Sequence, residues 1–299
     1  MAGPPQPTHT ERIASLRRIL VTTDFSASSQ RALSYAVTLA RQFHAHIFLA
    51  HVLTGADPLE GVDASSSGSQ MEREKAERAV AAILSSGRMD GVSHEALIEE
   101  GYLWQTLETL IEKNEIDLVV VGARGLERAP NEDIEPTAEM IFRRAVCPVL
   151  TVGPATENAP RNASGFKSIL FATDFGRAAQ HAAPHAFSLA MRFRSRVTLL
   201  HVVGTSGDYP EGGQEMVKKT SYIRLTESAP PDLSKSCQVE LVVQFGDSAE
   251  QILRIAREKN ADLIVMGARA GRTLVTHLPQ RTAYTVAIAA PCPLLTVKG

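Results

Sequence analysis

The chain has 299 residues, 44% hydrophobic and 21% charged, with a formal net charge of −2. These are the values of an ordinary globular protein, long enough for one large domain or two of usual size. They supply no whole-chain basic field that would attract nucleic acid or an anionic membrane, and no apolar run reaches the about 18 residues of a membrane span.

Residues 1–15 are rich in Pro and polar residues, lack the apolar stretch of a signal peptide and read as a disordered tail, with the cytoplasm as the expected location. Ile19 to Thr23 is a short apolar run that reads as a buried strand ending at Asp24. Ser26 is placed to cap a helix from Ala27 to about Phe43. Strand two follows at Ile47 to Val52, and Leu53 to Gln70, rich in Ser, Gly and Asp, reads as a surface loop, with Ser65 to Ser69 its flexible part. Met71 to Ser86 has helical spacing. Ser93 to Glu100 then reads as strand, Tyr102 to Lys113 as helix, Asp117 to Val121 as strand, Thr137 to Arg144 as helix and Val149 to Val152 as the last strand.

The same order then recurs. Ile19-Leu20-Val21-Thr22-Thr23-Asp24-Phe25 returns as Ile169-Leu170-Phe171-Ala172-Thr173-Asp174-Phe175, and His51-Val52 as His201-Val202, at an offset of 150. Gly122-Ala123-Arg124, Thr137-Ala138 and Cys147-Pro148 return as Gly267-Ala268-Arg269, Thr282-Ala283 and Cys292-Pro293 at an offset of 145. This predicts two domains, 16–153 and 166–299, joined by a Pro-, Asn- and Ser-bearing linker at 154–165. Alternating strands and helices predict a doubly wound α/β fold in each, a parallel sheet with helices on both faces and ligands bound beyond the carboxyl ends of the strands. Cys147, Cys237 and Cys292 form no CxxC pair, so no zinc site or disulfide framework is indicated.

The Thr-Asp-Phe-Ser at Thr23 to Ser26, the His-Val after strand two, Gly-Ala-Arg-Gly at Gly122 to Gly125 and Cys-Pro-Val-Leu at Cys147 to Leu150, in this order and in duplicate, resemble the universal stress protein family. The resemblance implies five parallel strands per domain in the order 3-2-1-4-5. It also implies pairing of the domains about a two-fold axis, here inside one chain, with association of whole chains a further expectation. Some members bind ATP through Gly-x-x-Gly, nine residues, then Gly-Ser or Gly-Thr; others lack this and bind no nucleotide. Roles are regulatory, in stress survival and signalling, mostly without catalysis.

Physically, such glycines let backbone N–H groups approach phosphate, at the positive end of the following helix. The first copy keeps Gly122, Arg124 and Gly125 but has Glu135 and Pro136 where ATP binders carry Gly and Ser or Thr. A carboxylate about 5 Å from a phosphate charge, at an effective dielectric of about 20, costs on the order of 3 kcal/mol, and Pro136 removes a donor. The second copy has Gly267 and Arg269 but Ala270, Gln280 and Arg281 at the other places, so glycine geometry is lost while the field is positive. By the resemblance, Thr23, Asp24 and Val52, with Thr173, Asp174 and Val202, match positions that approach the nucleotide; the plain alternative for Asp24 is a loop or helix-start residue. No cofactor is assigned; ATP or another adenine nucleotide is the class left open.

His181 and His185 share a helix face but have no third ligand nearby, so solvation or packing is expected, as are packing or a backbone hydrogen bond for His51 and His201. No GxSxG, GxxxxGK[ST] or HExxH occurs, so no catalytic constellation is expected. Two readings stand: a regulatory or chaperone-like stress protein that binds ATP weakly or not at all, and a nucleotide- or anion-binding sensor using mainly the second copy. A weak ATPase is a distant third.

Overall fold

Short runs of β-branched and aliphatic residues, apolar on both faces, can only be strands covered on both sides. In the computed structural model, which describes residues 16–54, 66–123, 137–156, 165–204, 213–268 and 281–299 (side chains of 66–69, 137, 142 and 281 excepted), the first half forms β1 (Arg18–Thr22), α1 (Ala27–Phe43), β2 (His46–Leu53), α2 (Ser66–Ser85), β3 (His94–Glu100), α3 (Leu103–Lys113), β4 (Leu118–Gly122), α4 (Thr137–Arg144) and β5 (Val149–Val152). The second half forms β6 (Ser168–Ala172), α5 (Arg177–Phe193), β7 (Arg196–Val203), α6 (Gly213–Ser228), α7 (Leu233–Ser236), β8 (Gln238–Phe245), α8 (Ser248–Glu258), β9 (Leu263–Ala268), α9 (Arg281–Ala289) and β10 (Leu294–Lys298).

Ser26 does cap α1, its side chain accepting from the Ser29 N–H. Two expectations are corrected. Residues 66–69, read as loop, form the first turn of α2, because N–H groups of a first turn need no intrahelical partner and Ser is tolerated there. The short α7 before β8 has no counterpart in the sequence reading.

All ten strands join one sheet in the order β3-β2-β1-β4-β5-β10-β9-β6-β7-β8, each half keeping the 3-2-1-4-5 order. Pairing within each half is parallel. The halves meet where β5 and β10 run antiparallel, with Leu295 opposite Leu150, Leu294 opposite Thr151 and Thr296 opposite Val149. Leu150 and Leu295 are equivalent residues of the repeat, so a pseudo-two-fold axis passes between them. On one face the same axis brings Phe43 and Phe193 edge to face, centroids 5.9 Å apart. Arg192 lies over the Phe43 ring and donates to the Gln42 carbonyl at 2.8 Å. The apolar edges thus cover each other, while the free edges β3 and β8 carry Glu95, Glu99 and Glu100, and Gln238 and Glu240.

Gly153 follows β5 at this seam, and a Cβ there would stand 2.2 Å from the Ala287 carbonyl oxygen of the other half. Gly153→Ala is expected to destabilise the chain by about 1–3 kcal/mol through overpacking, read as a lower midpoint of urea unfolding. All three cysteines are free and buried; titration with a thiol reagent should find three thiols in denatured, unreduced protein and almost none in native protein.

Candidate functional site

Both halves build the same turn at the carboxyl end of their first strand. Phe25 and Phe175 hold left-handed backbone conformations, φ 63° and 59°, which bulky residues adopt only when their surroundings impose it. The surroundings are duplicated. The Thr23 hydroxyl accepts from the Phe25 N–H at 3.0 Å, and that of Thr173 from the Phe175 N–H at 2.9 Å. His51 and His201 use Nδ1 to hold the carbonyls of Thr23 and Thr173, at 2.7 and 2.8 Å. A carbonyl only accepts, so Nδ1 carries the proton in both. Each imidazole also packs on its Phe ring, at 4.5 and 4.4 Å. These histidines therefore set the loop that carries Asp24 and Asp174.

Gly122 and Gly267 end the neighbouring strands, and their role is steric. A Cβ on Gly122 would lie 2.5 Å from the Ser28 carbonyl carbon, and one on Gly267 2.3 Å from that of Ala178. Bare backbone here lets the first turns of α1 and α5 sit on β4 and β9.

The side chains placed on this shared frame differ. In the first half the Asp24 carboxylate accepts from both the Ser26 N–H, at 3.0 Å, and the Ser26 hydroxyl, at 2.5 Å, and Ser28 and Ser29 crowd beside it, Ser29 reaching Thr23 at 3.2 Å. In the second half these three serines are Gly176, Ala178 and Ala179, and the Asp174 carboxylate takes the Gly176 N–H at 2.8 Å. Here a pocket of about 270 Å³ opens. Thr173, Asp174, Val202 and Gly267 line it, four of the residues named from the sequence, together with the apolar Leu200, Ile252 and Met266. Val52, the first-half counterpart of Val202, packs on the first half's apolar cluster. Arg124, Gly125, Glu135, Pro136, Arg269, Ala270 and Gln280 lie outside the described residues; Arg281 opens α9, its side chain likewise outside them.

The sequence reading missed Arg143, which belongs to α4 of the first half yet lines the second half's pocket. Nothing in the repeat pattern signals it, because its counterpart is Ile288. Of the two helical histidines, His185 is buried and His181 exposed, and no group of three metal-binding side chains occurs among the described residues. No described helix is long and apolar enough to cross a membrane.

Burial pushes the His201 imidazole below its ordinary value, the Thr173 carbonyl opposes this, and the Arg224 guanidinium, stacked 4.1 Å from the Phe175 ring, adds to the lowering. The folded state thus binds fewer protons than the unfolded chain. Stability is complete above the unfolded value of about 6.5 and falls as the pH drops below it toward the lowered folded value. Thermal melts from pH 7.5 to 5 should therefore show a shallower acid-side loss for His201→Gln than for the parent.

Similarity to known proteins agrees with this duplicated frame. The family model for the universal stress protein family matches residues 15–153 and again 165–298. A universal stress protein of Methanocaldococcus jannaschii is 27% identical over 139 residues, 46% of this chain and 81% of its own length. One from Synechocystis is 30% identical over 136 residues, 44% of this chain and 85% of its own. The crystal structure of a universal stress protein from Archaeoglobus fulgidus shares the fold along 94% of this chain and 98% of its own, with a TM-score of 0.65 at 19% identity. Two matches of one family model, end to end along a chain whose halves repeat each other, mean that the protein belongs to the universal stress protein family as a tandem of two such domains.

Proposed function

We propose that this protein is a stress-response regulator without a catalytic step of its own, whose surviving ligand site is the second domain's pocket, and that it binds ATP or another adenine nucleotide only weakly. The observation that carries the reading is the contrast at one place in the repeat. Ser26, Ser28 and Ser29 hold hydrogen-bonded places at the first domain's turn, whereas at the second domain's turn Ala178 and Ala179, in the places of Ser28 and Ser29, line the pocket with Asp174 and Gly267. At about 270 Å³ the space falls just below the about 300–1,000 Å³ of small-ligand pockets. Its apolar walls of Leu200, Val202 and Ile252 suit a flat ring, and the Asp174 carboxylate suits a hydroxyl or amino donor. The first domain adds a second reason for weakness, since Glu135 and Pro136 oppose phosphate there.

Calorimetric titration of ATP into the intact chain should give a Kd above about 100 μM, less than roughly 5.5 kcal/mol of binding free energy. Affinity should fall further with salt and with Arg281→Ala, because a positive field has replaced glycine geometry. Low-micromolar binding that survives Arg281→Ala would overturn the proposal.

A further inference from the structure

The wall of the second domain's pocket nearest the seam is backed by the first domain, and one first-domain side chain, Arg143, lines it. Ala268 and Ala283, which line the pocket, are packed into the first domain's apolar cluster with Ala138 and Ile141. Met140 of α4 and Tyr284 of α9 pack on that same cluster. From the same α4, one turn beyond Glu139, Arg143 lines the pocket, its side chain 31% exposed and 3.9 Å from Glu139. The Lys298 ammonium of β10 donates to the Arg144 carbonyl at the end of this helix, at 3.3 Å.

We propose that the second domain's pocket is a composite site in which Arg143, supplied by the first domain, meets the anionic group of the ligand. This rests on the reading that the second domain retains a site for a nucleotide or similar anion. A guanidinium that is partly desolvated and held on a helix binds phosphate oxygens through paired N–H donors. At 3.9 Å its pairing with Glu139 is longer than a charge-assisted hydrogen bond, and a phosphate oxygen would compete with Glu139 for the guanidinium. The pseudo-two-fold axis does not return the favour, because Ile288 stands in Arg143's place on α9 and is buried. The first domain thus completes its neighbour's site, position 288 of α9 carries no matching cation, and ligand bound in the second domain ties the two together across the seam.

The test is methyl NMR of the full chain, with Met266 and Ile252 as reporters lining the pocket, titrated with ATP and separately with adenosine. Arg143→Ala should weaken ATP about tenfold, the worth of one charge-assisted contact, and leave adenosine unchanged. Arg143→Lys, which keeps the charge and loses the fork, should fall between, and Glu139→Gln should bind ATP at least as well as the parent. Equal ATP affinity in the parent and Arg143→Ala, or an equal loss for ATP and adenosine, overturns the composite site and leaves the second-domain reading standing. A parent chain whose Met266 and Ile252 methyls do not move with ATP up to about 10 mM, less than roughly 3 kcal/mol of binding, overturns both.

Discussion

The antiparallel pairing of β5 with β10 is the constraint on which the molecule depends. Each domain alone would end in an apolar edge strand with unpaired N–H and C=O groups. Joined, these strands turn two five-stranded sheets into one of ten, place Leu150 against Leu295 on the axis and bring Phe43 to Phe193. The seam also decides which parts of one domain can reach the other's pocket. Because β4 and β9 lie next to the paired edges, α4 and α9 fall on the seam, and Arg143 reaches the second domain's pocket from there.

What the two copies keep in common is backbone machinery. The histidine that grips a loop carbonyl, the left-handed Phe beside it and the glycine pressed on a helix backbone occur in both. They shape a turn whatever occupies it. The side chains around the turn have diverged, through Ser26 against Gly176 and through Arg143 against Ile288. Fusion into one chain permits this. In a dimer of identical chains both sites must change together, whereas here the two turns carry different side chains.

Most of the fold was legible because its signals are local or repeated. Buried strands such as Val149–Val152 are short apolar runs, α1 starts at a residue whose side chain caps it, and the recurrence of whole segments predicts two like domains. Helix α7 and the first turn of α2 were not legible, since Leu233–Ser236 is too short to show a period and 66–69 is rich in Ser, which composition assigns to loops. At the site, Thr173, Asp174, Val202 and Gly267 follow from the family resemblance carried across the repeat, and they share one pocket. Arg143 does not, because its position depends on how the two five-stranded halves meet, and a contact between domains leaves no mark in the spacing of either. Likewise, that Gly122 and Gly267 are required by helix backbones 2.5 and 2.3 Å from the missing Cβ is a packing fact that a Gly-x-x-Gly pattern does not distinguish from ligand approach.

The seam residues Val149, Leu150 and Thr151 face Leu294, Leu295 and Thr296 in a pattern that is almost its own complement, so any two such edges, from one chain or from two, can zip together. What selects the partner is tethering. The stretch between Val152 and Ser168 is short, and a short connection holds its two ends at an effective concentration on the order of millimolar. Exchange between molecules has to compete with that figure, so the paired sheet persists on dilution where a two-chain dimer would come apart, and crowding of the protein to comparable concentrations is the condition under which chains would trade halves.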